Sequence, residues 1–177
     1  MRGGSDVTDG SLSVNEQIDE VLRTYADMVY KLALSQTKNR ADADDVFQEV
    51  FVRYMRNTKP FASEEHQKAW LIRVTINCSR KLMRSAWFRR TVALTDRPTE
   101  PPTFDTKEKS EVYEAVLRLP RKYRTAIHLF YYEDMSIADI GKALRLPEST
   151  VKSHLARARR LLKQQLEGEW DHEYKLI

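Results

Sequence analysis

The feature that most limits how this chain can fold is a helical periodicity interrupted by one long aperiodic stretch. From about Val14 to Arg90, apolar residues recur at three- and four-residue intervals, the spacing that puts them on one face of an α-helix. Ile18, Val21, Leu22, Tyr25, Val29, Leu32 and Ala33 outline one amphipathic helix, residues 42–56 a second and residues 68–84 a third. The pattern stops over Thr91 to Lys109, where Pro98, Pro101 and Pro102 fall among threonines and acids. It returns from Val112 to Leu166. Five glycines and six prolines in 177 residues leave little turn chemistry for a many-stranded sandwich or barrel, and a 41% hydrophobic content is enough for a core. The reading is therefore all-α. Two small helical domains, 14–90 and 112–166, are expected to be joined by a flexible, acidic, Pro-rich linker over 91–111. A disordered segment (1–13) and an acidic tail (167–177) flank them.

Several function classes drop out on composition. The single cysteine, Cys78, excludes an intrachain disulfide framework and any Cys-based zinc site. His66, His128, His154 and His172 stand far apart with no ligand spacing, which reads as scattered surface or helix-face histidines. No uncharged apolar run approaches the roughly 18 residues of a membrane span. No acid pair, nucleophile–base set or phosphate-cradling Gly loop stands out, so neither catalysis nor a cofactor, a metal or a small-molecule substrate is expected. A reducing, cytoplasmic setting fits.

The C-terminal half carries a DNA-reading pattern. Ser136 precedes the apolar-periodic run Ile137 to Leu144, with Asp139 in the first turn, where a carboxylate complements the helix dipole. The chain turns at residues 145–148, Pro147 marks a new helix start, and a second helix is expected over Ser149 to about Leu166. Two short helices across a tight turn describe a helix-turn-helix. At 100° per residue, Val151, Leu155, Ala158 and Leu162 share a buried stripe. Ser149, Ser153, Ala156, Arg157 and Arg160 face outward, with Lys152 and Arg159 on the flanks. Small hydroxyls and guanidinium forks suit base edges and phosphates. Arg145 stands at a turn position often held by Gly, with a modest strain if it is left-handed.

The N-terminal half has two opposed faces. Between Lys68 and Arg90 lie seven Lys or Arg residues and no acid. Arg73, Asn77, Arg80, Lys81 and Arg84 fall on one arc together with Trp70, while Leu71, Ile72, Thr75, Ile76, Cys78, Leu82 and Met83 lie away from it. A basic stripe with an amide and an aromatic suits melted nucleic acid, whose bases stack while its phosphates pair with cations. In contrast, Asp42, Asp44, Asp45 and Glu49 occur with no basic residue between Ala41 and Phe51. Val46, Phe47, Val50, Phe51 and Tyr54 form an apolar arc that leaves Asp42, Asp45, Gln48, Glu49 and Val52 outward. Acids early in a helix can be no more than a complement to its dipole; DNA would repel that surface, so if it binds anything the partner is a protein with basic residues.

The segments DDVFQEVFVRY (44–54), AWLIRVTIN (69–77), LPRKYR (119–124), SIADIG (136–141) and STVKSHLARAR (149–159) resemble, in order and spacing, the extracytoplasmic-function (group four) branch of the sigma-seventy family. That resemblance implies a bacterial alternative sigma factor that directs core RNA polymerase to a stress or envelope-response regulon. It implies that Asp45, Gln48, Glu49 and Val52 grip the clamp helices of the polymerase β′ subunit, and that the C-terminal domain meets the β flap. Phe61, Trp70, Arg73, Asn77, Arg80, Lys81 and Arg84 would capture the melted minus-ten element. The loop from Phe61 to Gln67 would form the pocket for a flipped base, although it reads Ser63-Glu-Glu-His where relatives often have Arg-Gly. Ser149, Thr150, Lys152, Ser153, Ala156, Arg157 and Arg160 would read the minus-thirty-five element. The linker would thread the RNA exit path. A cognate anti-sigma factor, often membrane-anchored, would hold the protein inactive.

Two other readings compete. A dimeric helix-turn-helix regulator would bind a palindromic operator without polymerase, and a helical adaptor would leave its basic faces solvated. Both leave the charge distribution unexplained. The whole chain carries +4, but residues 68–95 carry +7 and residues 142–163 carry +6. The remainder therefore carries −9.

Overall fold

The computed structural model describes residues 14–93 and 111–173, all of whose regular structure is helical. Residues 1–13, most of the expected linker and the last four residues lie outside the described residues. The elements are α1 (Val14–Thr37), α2 (Arg40–Met55), α3 (Glu64–Ala93), α4 (Glu111–Arg118), α5 (Arg121–Ile127), α6 (Ile137–Leu144) and α7 (Glu148–Glu173). A π-helical turn, His128–Tyr132, extends α5.

Helices α1, α2 and α3 pack pairwise into a three-helix unit. Its core is drawn from Val29, Leu32 and Ala33 of α1, Ala43, Val46 and Val50 of α2, and Leu71, Ile72 and Ile76 of α3. These are the i, i+3, i+4 positions that the periodicity selects. Two buried hydroxyls on α3 are satisfied within the helix: Thr75 donates to Leu71 O and Ser79 to Thr75 O, both at 2.8 Å. The α1–α2 turn falls at Thr37-Lys-Asn-Arg, with Lys38 left-handed (φ 59°) and Asn39 accepting from the Asp42 N–H at 3.0 Å.

Three boundaries run past their expected ends, because helical hydrogen bonding outlasts the amphipathic pattern. Helix α3 continues to Ala93 and α7 to Glu173. At its other end α3 begins at Glu64, with the Ser63 hydroxyl accepting from the His66 N–H at 3.2 Å. Glu64 to Gln67 are thus the first turn of a helix rather than part of a loop. The Ser63-Glu-Glu-His quartet is an N-cap signal, with two acids at the positive end of the dipole.

In the C-terminal half, Ser136 caps α6: its hydroxyl accepts from the Asp139 N–H at 3.1 Å and donates to the Asp139 carboxylate at 2.6 Å. Arg145 ends α6 in the left-handed region (φ 55°, ψ 46°). The chain then folds back so tightly that Leu146 N donates to Gly141 O at 2.9 Å. A Cβ on Gly141 would stand 2.9 Å from Leu146 O, a backbone atom that cannot swing aside. Gly141→Ala is accordingly expected to cost about 1–3 kcal/mol in urea unfolding; a change below about 0.5 kcal/mol would mean that the turn has slack.

The two halves touch. Helix α3 packs on α6, and the end of α1 packs on α5. Ser35, Gln36 and Thr37 are buried there beyond the last apolar position of α1, and Gln36 Nε2 donates to Thr125 Oγ1 at 3.0 Å. Gln36 Oε1 is buried without a hydrogen-bond partner. This seam is polar and imperfectly satisfied.

Candidate nucleic-acid interface

Helix α7 presents the outward face that its sequence predicts. Val151, Leu155 and Ala158 are buried and Leu162 is half-buried, while Ser149, Lys152, Ser153, Ala156, Arg157, Arg159 and Arg160 are exposed and Thr150 is half-exposed. The structure adds constraints that the sequence did not reveal. The Ser153 hydroxyl donates to Ser149 O at 2.8 Å, so its free capacity toward a ligand is as an acceptor. Arg157 bonds the hydroxyl of Tyr123, holding that phenol below its ordinary proton affinity with help from Lys122. Lys122 sits 4.9 Å from the centroid of the Tyr123 ring, and His154 packs edge-on against it at 5.6 Å. Tyr123 therefore organises three basic side chains from two helices. Arg159 is turned aside, donating to the Tyr131 hydroxyl at 2.9 Å.

On α3, Asn77, Arg80, Lys81 and Arg84 are exposed, and Arg73 and Trp70 are half-buried. Trp70 serves both core and surface. It meets Phe61 edge-on at 5.6 Å and Tyr54 at 6.2 Å, and Phe61 lies parallel to Tyr54 at 5.9 Å. Gln67 donates to the Tyr54 hydroxyl at 2.8 Å. Tyr54, which the periodicity assigns to the core alone, is thus a wall of the aromatic cluster. A recess of about 350 Å³ lies beside it between the 57–61 loop and the start of α1, large enough for an unstacked base.

The α3 stripe is not wholly open. Its Arg73 guanidinium reaches Ala143 O at 3.5 Å, and Arg73, Asn77 and Arg80 line a cleft shared with α5 and the helix-turn-helix turn. Burial, and then Arg145, lower the proton affinity of Arg73; burial, and then Arg80, lower that of Arg121.

On α2, Asp45, Gln48 and Glu49 are exposed and Val52 is half-buried. The acidic run is partly neutralised from within: Arg53 Nε donates to Glu49 Oε1 at 2.7 Å and holds that carboxyl below its usual range. His128 departs from a surface placement. It is 4% exposed, stacked on Tyr132, with Nε2 3.4 Å from a Glu133 carboxylate oxygen. Among the described residues, no three His, Cys, Asp or Glu side chains converge as a metal site, and no helix is long and apolar enough to cross a membrane.

A helix-turn-helix with a basic outward face, set beside a helical unit with one acidic and one basic face, defines a two-part DNA-binding transcription factor. The family profile described as Sigma-70 region 2 matches residues 21–89, and that of Sigma-70, region 4 matches residues 109–162. The ECF RNA polymerase sigma factor SigW of Bacillus subtilis is 29% identical over 163 residues, covering 83% of this chain and 87% of the relative. The ECF RNA polymerase sigma factor SigL of Mycobacterium tuberculosis is 32% identical, covering 80% of this chain and 86% of the relative. Among solved structures, the sigma factor RpoE from Bartonella quintana, in complex with the anti-sigma factor NepR, superposes with a TM-score of 0.67 at 21% identity. That match covers 85% of this chain and 97% of RpoE. CnrH, in complex with the cytosolic domain of CnrY, gives 0.61 at 21% identity, covering 87% and 90%.

The chain belongs to the extracytoplasmic-function branch of the sigma-70 family. It is an alternative RNA polymerase sigma factor, and its family partners are core polymerase and promoter DNA. Sigma factors are transcription initiation factors rather than enzymes themselves. A stand-alone dimeric regulator is not favoured, since the N-terminal half matches a sigma region of its own.

Proposed function

We propose that this sigma factor divides promoter recognition between residues 14–90 and residues 112–166. In this reading Asp45, Gln48, Glu49 and Val52 engage the β′ clamp helices. Arg73, Asn77, Arg80, Lys81 and Arg84 take the phosphates and bases of the melted minus-ten strand, with Trp70 and with the recess that Tyr54 and Phe61 line. Ser149, Thr150, Lys152, Ser153, Ala156, Arg157 and Arg160 read the minus-thirty-five duplex in the major groove. The C-terminal half meets the β flap. Tethering both halves to one polymerase raises their effective concentration on a correctly spaced promoter, so neither need bind DNA tightly alone. A cognate anti-sigma factor regulates the protein, as the NepR and CnrY complexes suggest by analogy, and it works in the cytoplasm on a stress-response regulon.

The observation that carries the reading is the outward face of α7, whose exposed Lys152, Arg157 and Arg160 stand over a fully buried Val151–Leu155–Ala158 stripe. The deciding experiment is transcription in vitro from genomic DNA by core polymerase with and without the protein. New start sites sharing spaced elements are expected, and their absence would defeat the assignment. Within that assay, Arg157→Ala should relax promoter choice by about 1–3 kcal/mol of discrimination. Unchanged promoter choice would remove Arg157 from the reading face.

A further inference from the structure

The seam between the two halves encloses a cleft of about 890 Å³, and a second recess of about 670 Å³ adjoins it. Their charged walls carry a single sign. From one side come Arg73 and Arg80 of α3; from the other come Arg121 and Lys122 of α5 and Arg145 of the helix-turn-helix turn. No Asp or Glu lines either space among the described residues. Like charges facing one another across a partly desolvated gap repel. Beyond the effect of burial, Arg145 lowers the proton affinity of Arg73 and Arg80 lowers that of Arg121 in this way. Among the described residues, hydrogen bonds across the seam include Gln36–Thr125 at 3.0 Å and two longer ones, Lys68 to Glu133 O and Arg73 to Ala143 O, both at 3.5 Å. A closed arrangement with cations apposed across it is one that a bound anion would stabilise by linkage.

We propose that this cleft is a binding site for a compact anion bearing several phosphates, and that its occupancy holds the two halves closed. Two chemical reasons select that class. Guanidinium forks match phosphate oxygens in a bidentate way and remain charged at any physiological pH. Five cations drawn from three elements also call for a ligand with charge distributed over several groups rather than one carboxylate. The consequence rests on the proposed function: Arg73, Asn77 and Arg80 belong to the stripe assigned to the melted promoter strand, so a ligand seated on them competes with DNA. The chain would then sense phosphate-rich metabolites as well as protein partners.

The test uses the full chain at about 0.15 M salt, where charges beyond about 8 Å are largely screened. Calorimetric titration with inorganic tripolyphosphate should give saturable binding at one per chain, and small-angle scattering should show a more compact particle when it is bound. Replacing Arg121 by Gln and Arg145 by Gly should weaken binding by about tenfold or more. Arg145→Gly favours the left-handed turn, and circular dichroism checks that both variants fold. The charge-matched pair Arg23→Gln and Lys31→Gln, on the exposed side of α1, should bind as the wild type does. Competition by a single-stranded oligonucleotide distinguishes a free polyphosphate from a nucleic-acid backbone: tripolyphosphate should be displaced in wild type, and direct oligonucleotide binding should persist in the Arg121 and Arg145 variants. Absence of saturable binding, or equal weakening by both pairs, overturns the proposal. The titration needs neither polymerase nor promoter, so its failure is separable from failure of the sigma-factor assignment.

Discussion

Replacing Arg124 by Ala is expected to remove a large share of the stability of the C-terminal half. Arg124 is 4% exposed, and its Nη1 donates to both Leu117 O and Leu119 O at 2.8 Å. Those carbonyls stand at the end of α4, where the helix has no further N–H groups to offer and where the dipole favours a cation. One side chain from α5 thus closes the end of α4 and fixes the α4–α5 corner. Burial, and then repulsion by Arg121, bring its proton affinity down to about 10. Tyr113 acts in the opposite direction, and no carboxylate figures among the charges that act on it. The guanidinium is held by carbonyl dipoles instead. Truncation would leave two buried acceptors unpaired and a cavity behind, a combination that costs about 3–5 kcal/mol. A domain of this size holds about 5–15 kcal/mol in all. Arg124→Lys, which keeps the charge but loses the fork, should fall between. Thermal unfolding followed by circular dichroism reads both, and a loss below about 1 kcal/mol for the alanine variant would refute the capping role.

Arg124 also shows where sequence reasoning stops. The LPRKYR word resembles a family motif, yet its chemistry lies in a fold-back that no periodicity encodes. Pro120 ends one helix and begins the next, with Tyr123 and Arg124 N–H groups both donating to Pro120 O. Only that geometry brings Arg124 under α4. Local signals fared better. Ser136, Asp139 and Pro147 act within four residues of themselves, and each stands where its preference predicts. Arg145 is left-handed because the turn leaves one residue to reverse the chain. The outward faces of α2 and α7 followed from 3.6-residue spacing, since each helix buries a single stripe. The seam was illegible for a different reason. Charge alone argues that two basic surfaces should stand apart, and a polar α1 end gives no apolar signal that Ser35, Gln36 and Thr37 are buried. His128 was missed because an isolated histidine carries no sign of burial until Tyr132 and Glu133 close over it.

Reversing both Asp45 and Glu49 to Lys is expected to abolish copurification with core polymerase. The two carboxylates lie one turn apart on α2 and both are exposed, so the double change shifts the local charge by four units without touching the Val46–Val50 core. Folding should be nearly unaffected, because surface ion pairs such as Glu49–Arg53 contribute about 0–1 kcal/mol. Binding is another matter. A basic partner surface brought against four units of reversed charge meets repulsion of several kcal/mol, and each 1.4 kcal/mol is about tenfold in affinity. The single variants should separate two contributions. Asp45→Lys leaves the Glu49–Arg53 pair intact and removes one free carboxylate. Glu49→Lys also releases Arg53, placing two cations at i and i+4, and should be the more damaging of the two. Because Debye screening shortens to about 3 Å at 1 M salt, raising the salt should recover part of the lost binding if repulsion is the cause. Normal copurification of a folded double variant would mean that polymerase does not use this face. Lost binding that salt does not restore would point instead to direct hydrogen bonds from these carboxylates.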